Sequence, residues 1–253
     1  AKTQLEADKQ IAIAIGEISR IEALISSWKP TSQTSNINKN AGASPVQVSE
    51  ELFSLIQRAL QISNLTDGAF DISYASMDKL WKYDGSMAQM PSKEAIKKSV
   101  AKVGYKDIVV DPQNSTVFLK NKGMKIGFGA IGKGYAADKA KKLLISNGVS
   151  GGIINASGDI NSWGSKPSGS SWQVAITNPL NKNKAFAMLP IKDAVVTSGN
   201  YEKYVTFNSR RYSHIIDPRT GYPSQGIISV TVFAPKAELA DALATSVFVM
   251  GVE

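Results

Sequence analysis

The sequence predicts an α+β fold in which flanking helices cover a largely antiparallel sheet. Helical periodicity appears towards both ends, short apolar runs bounded by turn residues cluster between them, and nothing repeats at a solenoid period. With 253 residues and 43% hydrophobic content the chain can bury a substantial core, and one domain over residues 1–253 is expected.

Residues 4–28 read as an amphipathic helix with Ile11, Ile15, Ile18, Ile21 and Ile25 on one stripe, ended by Trp28-Lys29-Pro30. The Ser/Thr/Asn-rich stretch Thr31–Ser44 reads as a loop whose polar side chains can also line a ligand site. Ser49 N-caps a helix to about Ser63 that turns Leu52, Leu55, Ile56, Ala59 and Leu60 inward, and Asp67-Gly68 follows as a turn. Ser92 caps a short helix through Val103. Strands at Ile108–Val110 and Val117–Leu119 flank the turn Asp111-Pro112-Gln113-Asn114. Residues 130–147 form a helix and Ile153-Ile154 a buried strand. Strands continue at Gln173–Thr177, Ala185–Pro190, Ala194–Thr197, Tyr204–Phe207 and Ile228–Ala234, and a helix covers Lys236–Met250.

The net charge of +8 favours anionic partners, phosphate-bearing molecules among them. Its lysines are spread out and no basic tract is interleaved with aromatics, so nucleic acid is not expected. The absence of cysteine excludes disulfides, thiolate metal sites and thiol nucleophiles, and suits an exported protein. No apolar run reaches the ~20 residues a membrane span needs. A start at Ala1-Lys2-Thr3, without an initiator Met or signal peptide, reads as a mature, trimmed chain.

Five segments are candidates for chemistry. His214, the only histidine, stands beside the Asp217-Pro218-Arg219-Thr220-Gly221 turn, as a proton-transfer group or a packing residue. Gly127–Tyr135 runs into a helix start where backbone N–H groups and Lys133 can meet a phosphate, or where glycines serve tight packing. Asn155–Asp159 offers amides and a carboxylate, or a plain turn between strands. Asp241 and Thr245 lie four apart on one helix face, as hard-oxygen ligands for Mg²⁺ or as a dipole-complementing Asp and a Thr bonded to its own helix. Thr66–Asp71, with Trp81-Lys82-Tyr83 ten residues on, can stack a planar ring or pack a core.

In order and approximate spacing these segments resemble the ApbE family, the FAD:protein FMN transferases. The matching pieces are Thr66–Asp71 with Trp81, Gly129–Asp138, Asn155–Asp159, Thr197–Tyr201, His214–Pro223, and Asp241–Thr245 with Gly251. Glu17–Glu22 and Ser35–Asn38 resemble the family's first helix and loop, so the likeness spans nearly the whole chain. It implies an ApbE-like, T-fold-related architecture and Mg²⁺-dependent transfer of FMN from FAD to a Ser or Thr hydroxyl of an acceptor protein, with release of AMP. It also implies roles residue by residue. Ala69, Phe70 and Asp71 match the flavin-contacting turn, and Trp81, Gly158, Asp159, Tyr201 and Ile215 match further flavin-site positions. Lys133 matches the phosphate-facing lysine, the Ala130 carbonyl with Asp241 and Thr245 the metal ligands, and His214 the base on the acceptor hydroxyl.

The implied acceptors are flavoprotein subunits of membrane redox complexes, of the sodium-pumping NADH:quinone oxidoreductase or Rnf type. The implied location is extracytoplasmic, in the periplasm, with a lipoprotein tether to the inner membrane. Gly127 departs from the family, which usually has an acidic residue there, and the strand usual before the first helix is absent from residue 1 onward, together with the export signal. The same residues would serve a Mg²⁺-dependent FAD pyrophosphatase in which water replaces the hydroxyl. A non-catalytic flavin-binding protein needs no base, and Lys133, His214, Asp241 and Thr245 argue against it.

Overall fold

Three serines start three helices. Each stands in extended conformation just ahead of a helix and accepts a first-turn N–H on its hydroxyl: Ser32 from Ser35, Ser49 from Leu52 and Ser92 from Ala95. The computed structural model describes residues 3–201 and 203–252. Its helices are α1 (Gln4–Ile25), α2 (Gln33–Lys39), α3 (Glu50–Leu65), α4 (Lys93–Val100), α5 (Gly132–Ser146) and α6 (Ala237–Met250). Its strands are β1 (Val46–Gln47), β2 (Ile108–Asp111), β3 (Thr116–Leu119), β4 (Gly152–Ala156), β5 (Asp159–Trp163), β6 (Trp172–Asn178), β7 (Asn181–Ile191), β8 (Ala194–Gly199), β9 (Tyr204–Phe207), β10 (Arg210–Ser213) and β11 (Ser229–Ala234). Helices and antiparallel sheets together make the α+β class expected from sequence.

The chain packs as two compact units, each assembled from three segments. The first comprises Ala1–Glu22, Ile131–Ser198 and Ser229–Ala244. Its sheet runs β11-β8-β5-β4, with β4 and β5 antiparallel across the tight Ser157-Gly158 turn and β8 antiparallel to β5. Strand alternation sorts the side chains onto two faces. Ile154, Trp163, Ala194 and Val196 pack on Ala137, Ala140 and Leu144 of α5 and Ala237, Ala240 and Ala244 of α6. Ile160 and Val195 instead meet Val174, Ile191 and Trp172 of the β6–β7 ribbon.

The alanines let α5 and α6 approach closely, and at Gly134 there is no room for a side chain: a Cβ there would lie 2.1 Å from the Ala237 carbonyl oxygen. Because that obstacle is backbone, Gly134→Ala should cost about 1–3 kcal/mol of stability. Urea denaturation checks this, with a lower midpoint and an unchanged slope as the expected result.

The second unit comprises Ala23–Ala130, Gly199–Ile228 and Thr245–Glu253. It holds the three-stranded β1-β3-β2 sheet and the β9–β10 hairpin, antiparallel throughout. Leu52, Leu55, Ile56 and Ala59 of α3 are fully buried, and short 3₁₀ turns occupy Ile72–Ser76 and Tyr105–Asp107. At Gly221, φ is +75° and a Cβ would meet Ile96 at 2.8 Å, so the turn after Pro218 requires glycine.

Several local expectations are corrected. Thr31–Ser44 is not a loop throughout but contains α2. Ser32 caps it, Ile37 is buried, and Asn38 brackets Ile126 with bonds of 3.0 and 2.8 Å. Ile11 and Ile15 are 55% and 58% exposed, because the first half of α1 packs through Ile13 and Ala14, whereas Ile18 and Ile21 of the expected stripe do pack inward. Isoleucines at 11, 13 and 15 populate opposite sides of the helix, so spacing alone offered two stripes. Leu60 is only half-buried, Ile153 is 40% exposed on the edge strand β4, and α4 stops at Val100. Strands β1 and β10 are additional to those expected, and β5 is implied only as the second strand of the Asn155–Asp159 turn, without bounds.

Candidate functional site

Polar residues of the first unit converge where α5, β5 and α6 meet. Asp159 and Asn161 alternate with Ile160 on β5, so both point to the helical side, as Trp163 does. From the first turn of α5, Lys133 donates to Asp159 and, at 3.2 Å, to Asp241 of α6. Asp241 also accepts the Gly134 N–H at 3.1 Å. Both carboxylates are buried at 4% side-chain exposure, whereas the Lys133 side chain is 45% exposed. Burial works against the Lys133 ammonium, but the Asp241 and Asp159 charges outweigh it and raise its pKa. Burial, and then the Asp241 charge, push the Asp159 carboxyl up to about 6 against the pull of Lys133. Two acids around one ammonium therefore leave this cluster short of positive charge.

That deficit, and the oxygen chemistry of the donors, fit a hard divalent cation. Thr245 follows Asp241 by one turn of α6, and the Ala130 carbonyl belongs to the segment just ahead of α5. Among the described residues no group of three His, Cys, Asp or Glu is placed to hold a metal ion. A cation at Asp241 would therefore complete its shell from hydroxyl, carbonyl, phosphate and water, as Mg²⁺ commonly does.

A second cluster lies within the other unit. His214 follows β10, and its Nδ1 is 3.2 Å from the Lys203 carbonyl oxygen, which also accepts the His214 backbone N–H at 3.0 Å. A carbonyl can only accept, so a hydrogen bond at this contact uses a protonated Nδ1. Tyr83 meets the imidazole edge-on at 6.4 Å and donates to the Ser213 carbonyl at 2.8 Å. Burial, then the neighbouring Tyr74, raises the Tyr83 pKa, so the phenol stays a neutral donor. The downstream turn is rigid: Asp217 accepts the Arg219 backbone N–H and guanidinium at 2.8–2.9 Å, and its carbonyl accepts the Gly221 N–H at 2.8 Å.

Trp81 is buried, stacks on Tyr212 at 5.7 Å and donates to the Gly221 carbonyl at 3.0 Å. Ala69 and Phe70 are also buried, and the Phe70 N–H bonds Thr66 Oγ1 at 3.1 Å. Asp71 accepts from Ser73 N and Oγ on one oxygen and from Tyr105 N on the other. Burial raises its pKa and those bonds oppose the rise. Ile215 is buried and its carbonyl accepts the Ser224 N–H at 2.9 Å, while Tyr201 is half-buried. Gly158, at φ +98°, faces open space where a Cβ would be.

The structure thus unites Lys133, Asp159 and Asp241 in one unit, and Trp81 with the His214–Pro223 run in the other. It adds Asp138, Lys141 and Asn161, which sequence reading left without roles. The signal for Asn161 is its two-residue offset from Asp159, which counts only once β5 is known to run over Asp159–Trp163.

A sequence model of the ApbE family matches residues 2–253. The FAD:protein FMN transferase of Escherichia coli K12 is 34% identical over 259 residues, covering 100% of this chain and 70% of the relative. That of Treponema pallidum is 33% identical, covering 92% and 68%. The crystal structure of the ApbE protein of Thermotoga maritima aligns with a TM-score of 0.88 at 34% identity, over 99% of this chain and 81% of that one. The flavin transferase ApbE of Vibrio cholerae aligns at 0.86 and 26% identity, over 97% and 79%.

Proposed function

The chain belongs to the ApbE family and is an FAD:protein FMN transferase, and from that premise we propose how its residues divide the reaction. The acceptor group is a Ser or Thr hydroxyl. Its oxygen attacks the FMN-side phosphorus of FAD, the bond from that phosphorus to the bridging oxygen breaks, and AMP leaves with that oxygen. The hydroxyl proton goes to His214 Nε2, the ring nitrogen that is not engaged with the Lys203 carbonyl. Lys133, its side chain 45% exposed although its ammonium is held by the two acids, contacts the phosphates. Asp241 would hold Mg²⁺, with Thr245 and the Ala130 carbonyl as the further ligands that the family likeness implies, and the ion would supply charge neutralisation to the pyrophosphate and to the departing AMP phosphate.

One observation carries this reading: two buried carboxylates share a single ammonium at the start of a helix, which provides for a cation and a phosphate together. The proposed acceptors are flavoprotein subunits of membrane redox complexes, of the sodium-pumping NADH:quinone oxidoreductase or Rnf type. The proposed setting is the periplasm, an oxidising compartment that the lack of cysteine suits, and the proposed attachment to the inner membrane is a lipoprotein tether. Among the described residues no helix is long and apolar enough to cross a membrane.

Incubation with FAD, Mg²⁺ and a Ser/Thr-bearing acceptor fragment tests the reading. The expected products are acceptor carrying the added mass of FMN and an equal amount of AMP. AMP with free FMN and unmodified acceptor would instead identify a pyrophosphatase. Lys133→Ala should weaken FAD binding by about 1.5–3 kcal/mol, the scale of one hydrogen bond to a charged group. Fluorescence titration of FAD checks this, and wild-type affinity in the variant would reduce Lys133 to a structural partner of the two acids.

A further inference from the structure

Helix α6 has no capping side chain of its own. Its first residue is Ala237, and the residue ahead is Lys236, which cannot accept a hydrogen bond. The missing acceptor comes from α5. Asp138 takes the Ala237 N–H on Oδ1 and the Glu238 N–H on Oδ2, both at 2.9 Å. Its Oδ1 also accepts from Asn161 Nδ2 of β5 at 2.6 Å. Asn161 is fully buried and accepts in turn from Lys141 Nζ at 3.0 Å, while the same ammonium donates to the Ser162 carbonyl at 2.8 Å.

One carboxylate thus ties together α5, β5 and α6, the three elements that carry Lys133, Asp159 and Asp241. The placement is specific. Gly134 and Asp138 are four apart and share a face of α5. Gly134 lies against the Ala237 carbonyl and donates to Asp241, while Asp138 caps the same first turn. Two successive turns of α5 therefore clasp the turn of α6 that leads into Asp241.

We propose that Asp138 is the positioning residue of the cation site, holding α6 in register against α5 so that the Asp241 carboxylate stays fixed beside Lys133 and Asp159. This rests on the assignment of Asp241 to the metal. A purely structural cap would stabilise the fold and leave metal affinity alone. A positioning residue changes affinity even while the fold survives, because ligand placement is what it controls.

The test uses the full chain without FAD, with Mn²⁺ as the probe, its free concentration read by electron paramagnetic resonance and its site confirmed by Mg²⁺ competition. Asp138→Asn retains one acceptor oxygen and should fold. Its Mn²⁺ affinity should fall roughly 10–100-fold, while FAD affinity measured in EDTA stays within about twofold. Val174→Ala, in the ribbon-side cluster of the same unit, serves as a destabilised control: Tm should drop with Mn²⁺ affinity unchanged. Asp138→Asn binding Mn²⁺ like the wild-type protein, whatever its Tm, would overturn the proposal. Wild-type protein without a Mg²⁺-competable Mn²⁺ site would remove the Asp241 assignment, and this inference with it.

Discussion

A His214→Asn variant is expected to lose roughly 10²–10⁴-fold in FMN transfer, the usual yield of a positioned base, while binding FAD and Mg²⁺ as the wild-type protein does. Asparagine is chosen because it separates two roles. The ring now holds the Lys203 carbonyl through Nδ1 and meets the edge of Tyr83. An asparagine amide can donate to that same carbonyl, so a bracing role survives the exchange, but it takes up no proton. Wild-type transfer should fall on the acid side within the range where imidazole protonates, between pH 5 and 8. The variant should show a low, flat rate across pH 5.5–8.5. Residual AMP release in the variant would come from water as acceptor and should not depend on acceptor concentration. Near-wild-type transfer with the same acid limb would end the assignment of His214 as base.

How far such roles were legible in the sequence depended on whether local chemistry or distant packing decided each residue's place. Ser49 and Ser92 are local devices, and both cap the helices expected of them. The Asp217–Gly221 turn is likewise set within five residues. By contrast α2 has only seven residues, too few to stand on propensity, and it depends on Ile37 burial and the Asn38 bracket 88 residues away. The extent of strand β5 is not legible for a related reason. Its helix-facing positions hold Asp159 and Asn161 rather than apolar residues, and they are buried because Lys133, Asp138 and Lys141 of α5 satisfy them. The period-2 hydrophobic signal was missing where polar residues were needed. Lys133 and Asp241 were each singled out from their own segments, yet 108 residues separate them, and no spacing rule joins them. Asp138 looked like one more polar residue on a helix until α6 arrived to be capped.

Asp241→Asn should lower Mg²⁺-dependent transfer on the order of 10³-fold, since a catalytic cation supplies several kcal/mol of charge stabilisation. The amide is a sharper probe than alanine. Its oxygen can still accept the Gly134 N–H, so the clasp between α5 and α6 persists, while the negative charge that holds the cation is gone. FAD should still bind through its rings, and Mn²⁺ affinity should fall in parallel with the rate. The variant also has a signature independent of turnover. Asp159 is raised to about 6 first by burial and second by the Asp241 charge. Removing the second cause must move its titration midpoint down towards the ordinary carboxylate range, which carboxyl-carbon NMR on metal-free protein reads directly. Mg²⁺ added to the wild-type protein should move that midpoint the same way, because a cation favours the ionised acid. By linkage, wild-type Mg²⁺ affinity should weaken as pH falls through about 6, as protons reoccupy Asp159. Transfer and Mn²⁺ binding that survive in folded Asp241→Asn would take the metal away from α6, whatever the midpoint of Asp159 did. A midpoint that stayed near 6 would show instead that burial alone sets it, and that Asp241 does not share its charge with this cluster.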